Sequence, residues 1–185
     1  MLYGNNDSHQ LIKEVKALRL PRSTERLSFR SMQHTDHRLL KNIFQNKDVM
    51  RYYAALKSEK EIDEWIHWNK SYYLSYGVGM WMVEDRQTQR FIGQCGLVPE
   101  KIEGSVSIEL GYLFTPENWG YGYASESAAV VRDFAFYSLA IPTLISIIDP
   151  ENTPSIKVAE NIGMTYQRPV KRWNRSFSLY AAARP

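Results

Sequence analysis

Between residues 105 and 110 polar and apolar positions alternate. Ser105, Ser107 and Glu109 fall on one face of a predicted strand, and Val106, Ile108 and Leu110 fall on the other. Gly111 interrupts the alternation, as at a bulge or a close backbone approach. Past Thr115-Pro116 the period lengthens. Ala128, Val131, Ala135 and Leu139 recur at spacings of three and four, which predicts a helix. Between strand and helix lies Trp119-Gly120-Tyr121-Gly122-Tyr123-Ala124.

The same reading places the other elements. Leu11, Ile12, Val15 and Leu18 follow a helical period from Ser8, ended by Pro21. Arg26 to Arg30 alternates as a first strand, and Asp36 opens a helical segment with Leu39, Leu40, Ile43 and Phe44 on one face. Ser58 with Glu61 has capping-box spacing and starts a helix to Tyr76, broken by Gly77 and Gly79. Met80–Glu84 and Arg90–Val98 form a predicted hairpin that continues antiparallel into the 105–115 strand. Thr143–Ile148 is almost uniformly apolar, a strand buried on both faces. With one helix between it and the 105–115 strand, the two are predicted to be parallel neighbours. Thr153 is the expected N-cap of a further helix, with Pro154 in its first turn and Gly163 after its end. Thr165 to Ala182 reads as two strands joined near Arg172–Asn174.

A strand, a glycine-rich turn and a helix start together make an anion cradle. The first helical turn carries unpaired N–H groups and the positive end of the dipole, and glycines let an oxygen approach without meeting a Cβ. No Gly-Lys-Ser/Thr ending marks a nucleotide P-loop here, and no third glycine completes a dinucleotide fingerprint.

The wording I-E-L-G-Y…P-E-x-W-G-x-G-Y-A-x-E resembles the acetyl-CoA-binding core of the GCN5-related N-acetyltransferases. It is most similar to the branch that contains the ribosomal-protein N-terminal acetyltransferases. N-x-x-S-x-x-V-x-E-x-x-G-M from Asn152 to Met164 is a second, independent resemblance, and the T-E-R-L-x-x-R opening from Thr24 a third. The resemblance implies an α/β (α+β) acetyltransferase fold, a mixed, mostly antiparallel sheet of about seven strands flanked by helices and split where the cosubstrate enters. It implies that the amides of Gly120, Tyr121, Gly122, Tyr123 and Ala124 hold the CoA pyrophosphate beside Trp119. The backbone of Tyr112, Leu113 and Phe114 would pair with the pantetheine arm like an added strand, assisted by Asn152.

An amine of pKa roughly 8 to 10 is mostly protonated at neutral pH, so a group must accept its proton. Glu109, on the polar face of the central strand, is the candidate base, against a simple ion pair with a neighbouring cation. Many family members place a tyrosine seven residues after the asparagine of the second motif; here that residue is Ala159. Ser155 is then the candidate donor to the departing thiolate, against a helix-start hydrogen bond. Cys95 as an acyl carrier is a rival mechanism with no histidine near it in sequence. Glu126 fits the helix dipole better than catalysis. Trp65, Trp68 and Tyr72 form an aromatic stripe, read as core packing or as a wall for the acceptor. His34, His37 and His67 are expected to be solvated.

The totals add limits. The length of 185 residues, without repeats or a low-complexity linker, predicts a single domain over 1–185, with residues 1–20 as an extension. A net charge of +3 does not point to nucleic acid, and a lone cysteine permits neither an internal disulfide nor a thiolate zinc cluster. No metal is expected. Lys13, Glu14 and Lys16 break any apolar leader, so a soluble, cytoplasmic protein is expected. The expected activity moves acetyl from acetyl-CoA directly to a primary amine, a protein N-terminal α-amine first and a small polyamine or antibiotic amine second. A non-catalytic CoA sensor is a third reading. The family also makes a homodimer an open expectation.

Overall fold

In a computed structural model that describes residues 19–185, seven strands form one mixed sheet. They are β1 (Leu27–Arg30), β2 (Met80–Asp85), β3 (Phe91–Ile102), β4 (Ser105–Phe114), β5 (Thr143–Ile148), β6 (Thr165–Arg172) and β7 (Arg175–Ala183), in the spatial order β1-β2-β3-β4-β5-β7-β6. All neighbours are antiparallel except β4 and β5. That parallel pair is the one predicted, since a helix lies between the two strands in sequence. The helix expected from Ser8 to Leu18 lies outside the described residues.

The helices are α1 (His37–Phe44), α2 (Lys47–Met50), α3 (Glu59–Tyr76), α4 (Tyr123–Asp133, continued by a π turn over Phe134–Ser138) and α5 (Thr153–Asn161). Pairing across the strands assigns them to faces. Met82, Gln94 and Leu113 are register partners and share one face, where Trp65 of α3 donates to Gln94. Trp81, Cys95 and Tyr112 share the opposite face, where Trp81 meets Phe134 edge-on and Tyr112 reaches Ser155 of α5. Helices therefore cover both faces of the sheet, and Glu109, two residues from Gly111 and four from Leu113, belongs to the α3 face.

Several expectations are corrected. Helix α5 is capped by Asn152, not Thr153, because the Asn152 amide oxygen reaches Ser155 N–H at 3.2 Å. β4 has no bulge at Gly111, which pairs regularly with Gly96. β3 runs four residues past Val98, so the β3–β4 hairpin projects further than its polarity suggests. His37 is not simply solvated: its two ring nitrogens lie 2.5 and 2.6 Å from carboxylate oxygens of Glu59 and Asp63 of α3, tying α1 to α3. Both hydrogen bonds hold its pKa above the ordinary value. The stripe on α3 stacks on itself, Trp65 on Trp68 and Trp68 edge-on to Tyr72, with Phe44 at its inner end. Its three rings are only partly buried, and Trp65 alone packs against the core.

Candidate active site

The hydrogen bonds of β4 show how the sheet opens. Thr115 N–H donates to Ile92 of β3, and Ser146 Oγ of β5 donates to the Leu110 carbonyl. Alternation then turns the backbone of Tyr112 and Phe114 toward β5. But β5 pairs with β4 only at Ile108↔Leu144 and Glu109↔Ile145. Beyond Glu109 the strands part, and Tyr112 and Phe114 face the gap. The Trp119 indole N–H donates to the Phe114 carbonyl at 2.8 Å, so it braces the loop and is not free for a ligand. Leu113 turns its carbonyl toward β3, where a Cβ on Gly93 would lie 2.6 Å away.

A cleft of about 700 Å³ occupies the gap, between the ends of β4 and α4 on one bank and α5 on the other. Tyr112, Leu113, Phe114, Trp119, Gly120, Gly122, Tyr123, Ala124 and Asn152 all line it, with Arg51 and Lys157 adding positive charge. Tyr121 does not. It is exposed and stacked on Tyr123.

At the cleft end of α4 no side-chain hydrogen bond caps the helix. Its first intrahelical bond is Glu126 N–H to Gly122 O, so the amides of Tyr123, Ala124 and Ser125 have no intrahelical acceptor. Gly122 sits at φ 79°, the left-handed region that a side chain resists, which accounts for a glycine there. An uncapped helix start and a glycine with open space before it suit a diphosphate, in a cleft whose charged lining residues are Arg51, Lys157 and Asp48.

Glu126 does more than answer the dipole. It accepts from Thr24 Oγ1 and from Arg26 Nε (2.8 Å) and Nη2, while Arg26 Nη1 donates to the Tyr121 carbonyl. The residues before β1 thus brace the glycine turn. No local sequence signal joins partners a hundred positions apart.

The cleft narrows into a chamber of about 70 Å³. Tyr52, Tyr53, Tyr112, Asn152 and Ser155 line both spaces, so Ser155 stands at their junction, and Glu109, Arg172 and Trp173 line the chamber but not the cleft. Glu109 is largely buried. Arg172 Nη1 and Ile147 N–H approach it at 3.4 Å each. Burial pushes its pKa up to about 7, partly opposed by the Arg172 guanidinium. Burial also raises the phenols of Tyr53 and Tyr112, and Tyr112 donates to the Ser155 carbonyl at 2.7 Å. Cys95 is fully buried, its thiol pushed up to about 12, which leaves almost no thiolate for attack. No group of three or more His, Cys, Asp or Glu side chains able to hold a metal ion occurs among the described residues. Sequence reasoning missed Tyr52, Tyr53, Arg26 and Arg172, each of which enters the site through a tertiary contact.

A family model described as an acetyltransferase (GNAT) domain matches residues 26–165. The uncharacterized protein YkkB of Bacillus subtilis (strain 168) is 40% identical over 158 residues, covering 85% of this chain and 92% of YkkB. Two solved structures share the fold. The ribosomal-protein-S5-alanine acetyltransferase from Vibrio fischeri is 15% identical, covers 90% of this chain and 97% of its own, and has a TM-score of 0.74. The spermidine N-acetyltransferase from Vibrio cholerae, in complex with CoA and spermine, is 19% identical, covers 87% and 97%, and has a TM-score of 0.71.

Proposed function

The chain belongs to the GNAT acetyltransferase family, and from that premise we propose that it transfers acetyl from acetyl-CoA directly to a protein N-terminal α-amine, with Glu109 as the base. The observation that carries the reading is a largely buried carboxylate with a pKa near 7, in a chamber that opens onto an anion-suited cleft. In this reading the amides of Tyr123, Ala124 and Ser125 hold the pyrophosphate, and the edge of β4 at the Tyr112 backbone and the Phe114 N–H takes the pantetheine arm.

The amine nitrogen forms a bond to the thioester carbon, and the developing oxyanion is met by a backbone N–H of that free edge. The C–S bond then breaks. Glu109 has by then taken the first proton of the entering ammonium, and the second passes from nitrogen through the Ser155 hydroxyl, at the junction of the two spaces, to the thiolate. A thiolate leaves readily, so Ala159 in place of a tyrosine does not stop the reaction.

The acceptor follows from charge. Glu109 faces Arg172, and Asp149, the other carboxylate lining the chamber, pairs with Arg175. A polyamine needs several carboxylates free for its several charges, whereas one terminal amine needs one. The second reading, a small polyamine or antibiotic amine, is favoured only by the fold shared with the spermidine enzyme.

The test is release of CoA thiol from acetyl-CoA, in parallel with short peptides and small amines. Turnover with peptides of one N-terminal type is expected. Turnover with polyamines alone would move the acceptor to small molecules, and binding of acetyl-CoA without turnover anywhere would leave a sensor. A second expectation concerns the brace. Arg26→Ala should raise KM for acetyl-CoA about fivefold, roughly 1 kcal/mol, while kcat changes little, because the loop and not the chemistry is loosened. Initial rates that show a fall in kcat alone would refute it.

A further inference from the structure

Arg172, the last residue of β6, lines two openings. One is the chamber that holds Glu109, and the other is a groove of about 530 Å³ between the ends of the β3–β4 and β6–β7 hairpins. Its guanidinium is shared. Nη1 lies 3.4 Å from Glu109 Oε2, and Nη2 lies 3.4 Å from Glu100 Oε2. Charge-assisted bonds of this kind usually close to about 2.7–2.9 Å, so neither carboxylate grips it fully.

The turn that follows is unusual. Trp173 and Asn174 join β6 to β7 at φ 50° and 57°, a two-residue turn with both positions left-handed and no glycine. A tryptophan in that region is strained, and such strain gathers at functional sites. It sets the indole beside the Arg172 guanidinium, 4.6 Å from Cζ to ring centroid, and edge-on to Phe177. The guanidinium therefore has a fixed wall on one side and two carboxylates to choose between on the other.

Resting on the acetyl-transfer reading above, we propose that Arg172 is the acceptor-side threshold: the incoming ammonium takes its place on Glu109, and the guanidinium withdraws onto Glu100. A buried carboxylate is costly to hold ionised without a cation. Arg172 supplies that cation while the chamber is empty, and the acceptor supplies it on entry. The amine then gives its proton to Glu109 and attacks. An uncharged acceptor, such as an alcohol, displaces the guanidinium without replacing its charge and is rejected. Arg172 is in this sense a positioning and specificity residue. The other groups around Glu109 are Glu100 on β3, the Ile147 amide on β5, Tyr53 after α2 and Tyr112 on its own strand. Of these, Glu100 holds the other half of the guanidinium and the amide and phenols are uncharged at neutral pH, while Asp149, which also lines the chamber, is paired with Arg175.

Arg172→Gln and Arg172→Lys test this in two ways. Carbon-13 NMR titration of the unliganded protein, with the Glu109 signal assigned by its loss in Glu109→Gln, should show the carboxyl titrating about one pH unit higher in the Gln variant and near wild type in the Lys variant. The acidic limb of kcat/KM against pH should move by the same amount. Above pH 8.5, where the carboxylate is ionised in each protein, KM counted on the ammonium fraction of the amine should fall about threefold in the Gln variant, because no guanidinium has to be displaced. A merely structural role would lower stability and leave the titration in place. An active wild type whose Gln variant keeps both the titration and the acidic limb, or whose amine KM rises at high pH, overturns the exchange alone. A wild type inactive with every amine defeats the acetyl-transfer reading, and the exchange with it.

Discussion

Glu109→Gln is expected to lower kcat by roughly a hundredfold to ten-thousandfold, the usual worth of a positioned base, while the affinity for acetyl-CoA stays within about twofold. Glutamine keeps the shape and one hydrogen-bonding oxygen but cannot accept a proton. Glu109 reaches the chamber and does not line the larger cleft, so cosubstrate binding has little reason to change. The pH profile sharpens the expectation. In the wild type kcat/KM should climb as Glu109 ionises near its pKa of about 7. In the variant that limb should vanish, leaving only the ionisation of the amine, near pH 8 for an α-amine.

Stability should move the other way. The folded carboxyl titrates above its unfolded value, so between about pH 4.5 and pH 7 the folded state binds more protons than the unfolded one, and stability falls as pH rises through that window. The ionised carboxylate costs roughly 3 kcal/mol at alkaline pH. Glu109→Gln should therefore melt higher than wild type at pH 8 and no higher at pH 5, less whatever Arg172 loses when only Glu100 remains beside it. Measured rates and melting curves at the two pH values check both halves. A fully active Gln variant ends the base assignment.

Gly122→Val is expected to weaken acetyl-CoA binding about a hundredfold with the fold retained. At φ 79° a β-branched residue forces the turn out of the left-handed region or strains it by roughly 1–2 kcal/mol. Nothing in the protein crowds the site, since a Cβ at this position would have Arg26 Nη2 as its nearest neighbour, 3.8 Å away. The loss therefore falls on whatever occupies the open side. Two charge-assisted amide bonds to a diphosphate, at roughly 1.5 kcal/mol each, account for the factor of a hundred. Calorimetric titration with CoA measures it. A variant that binds CoA as wild type does would show that the glycine serves the turn and not the ligand.

What could be read from the chain itself is local. The alternation at 105–110, the glycine turn and the helix after it are spelled in consecutive residues, as are the Ser58–Glu61 capping box and the βαβ order that makes β4 and β5 parallel. So is the side of β4 from which Glu109 projects, because side chains alternate with a period of two, but burial does not follow the predicted faces: Val106 is exposed and Glu109 is largely buried. Sequence alone thus determined the sheet with its flanking helices and the bank of the cleft formed by β4 and the start of α4. Tertiary structure decided what surrounds those residues. Burial, which raises the Glu109 pKa, depends on elements that close over it from residue 53 to residue 172. The braces Arg26–Glu126 and Arg172–Glu109 span 100 and 63 positions, and the strained turn at Trp173 carries no glycine to announce it. Periodicity reports a residue's own element. Contacts, solvation and charge pairing are set by elements distant in sequence, and they exist only once the chain has folded.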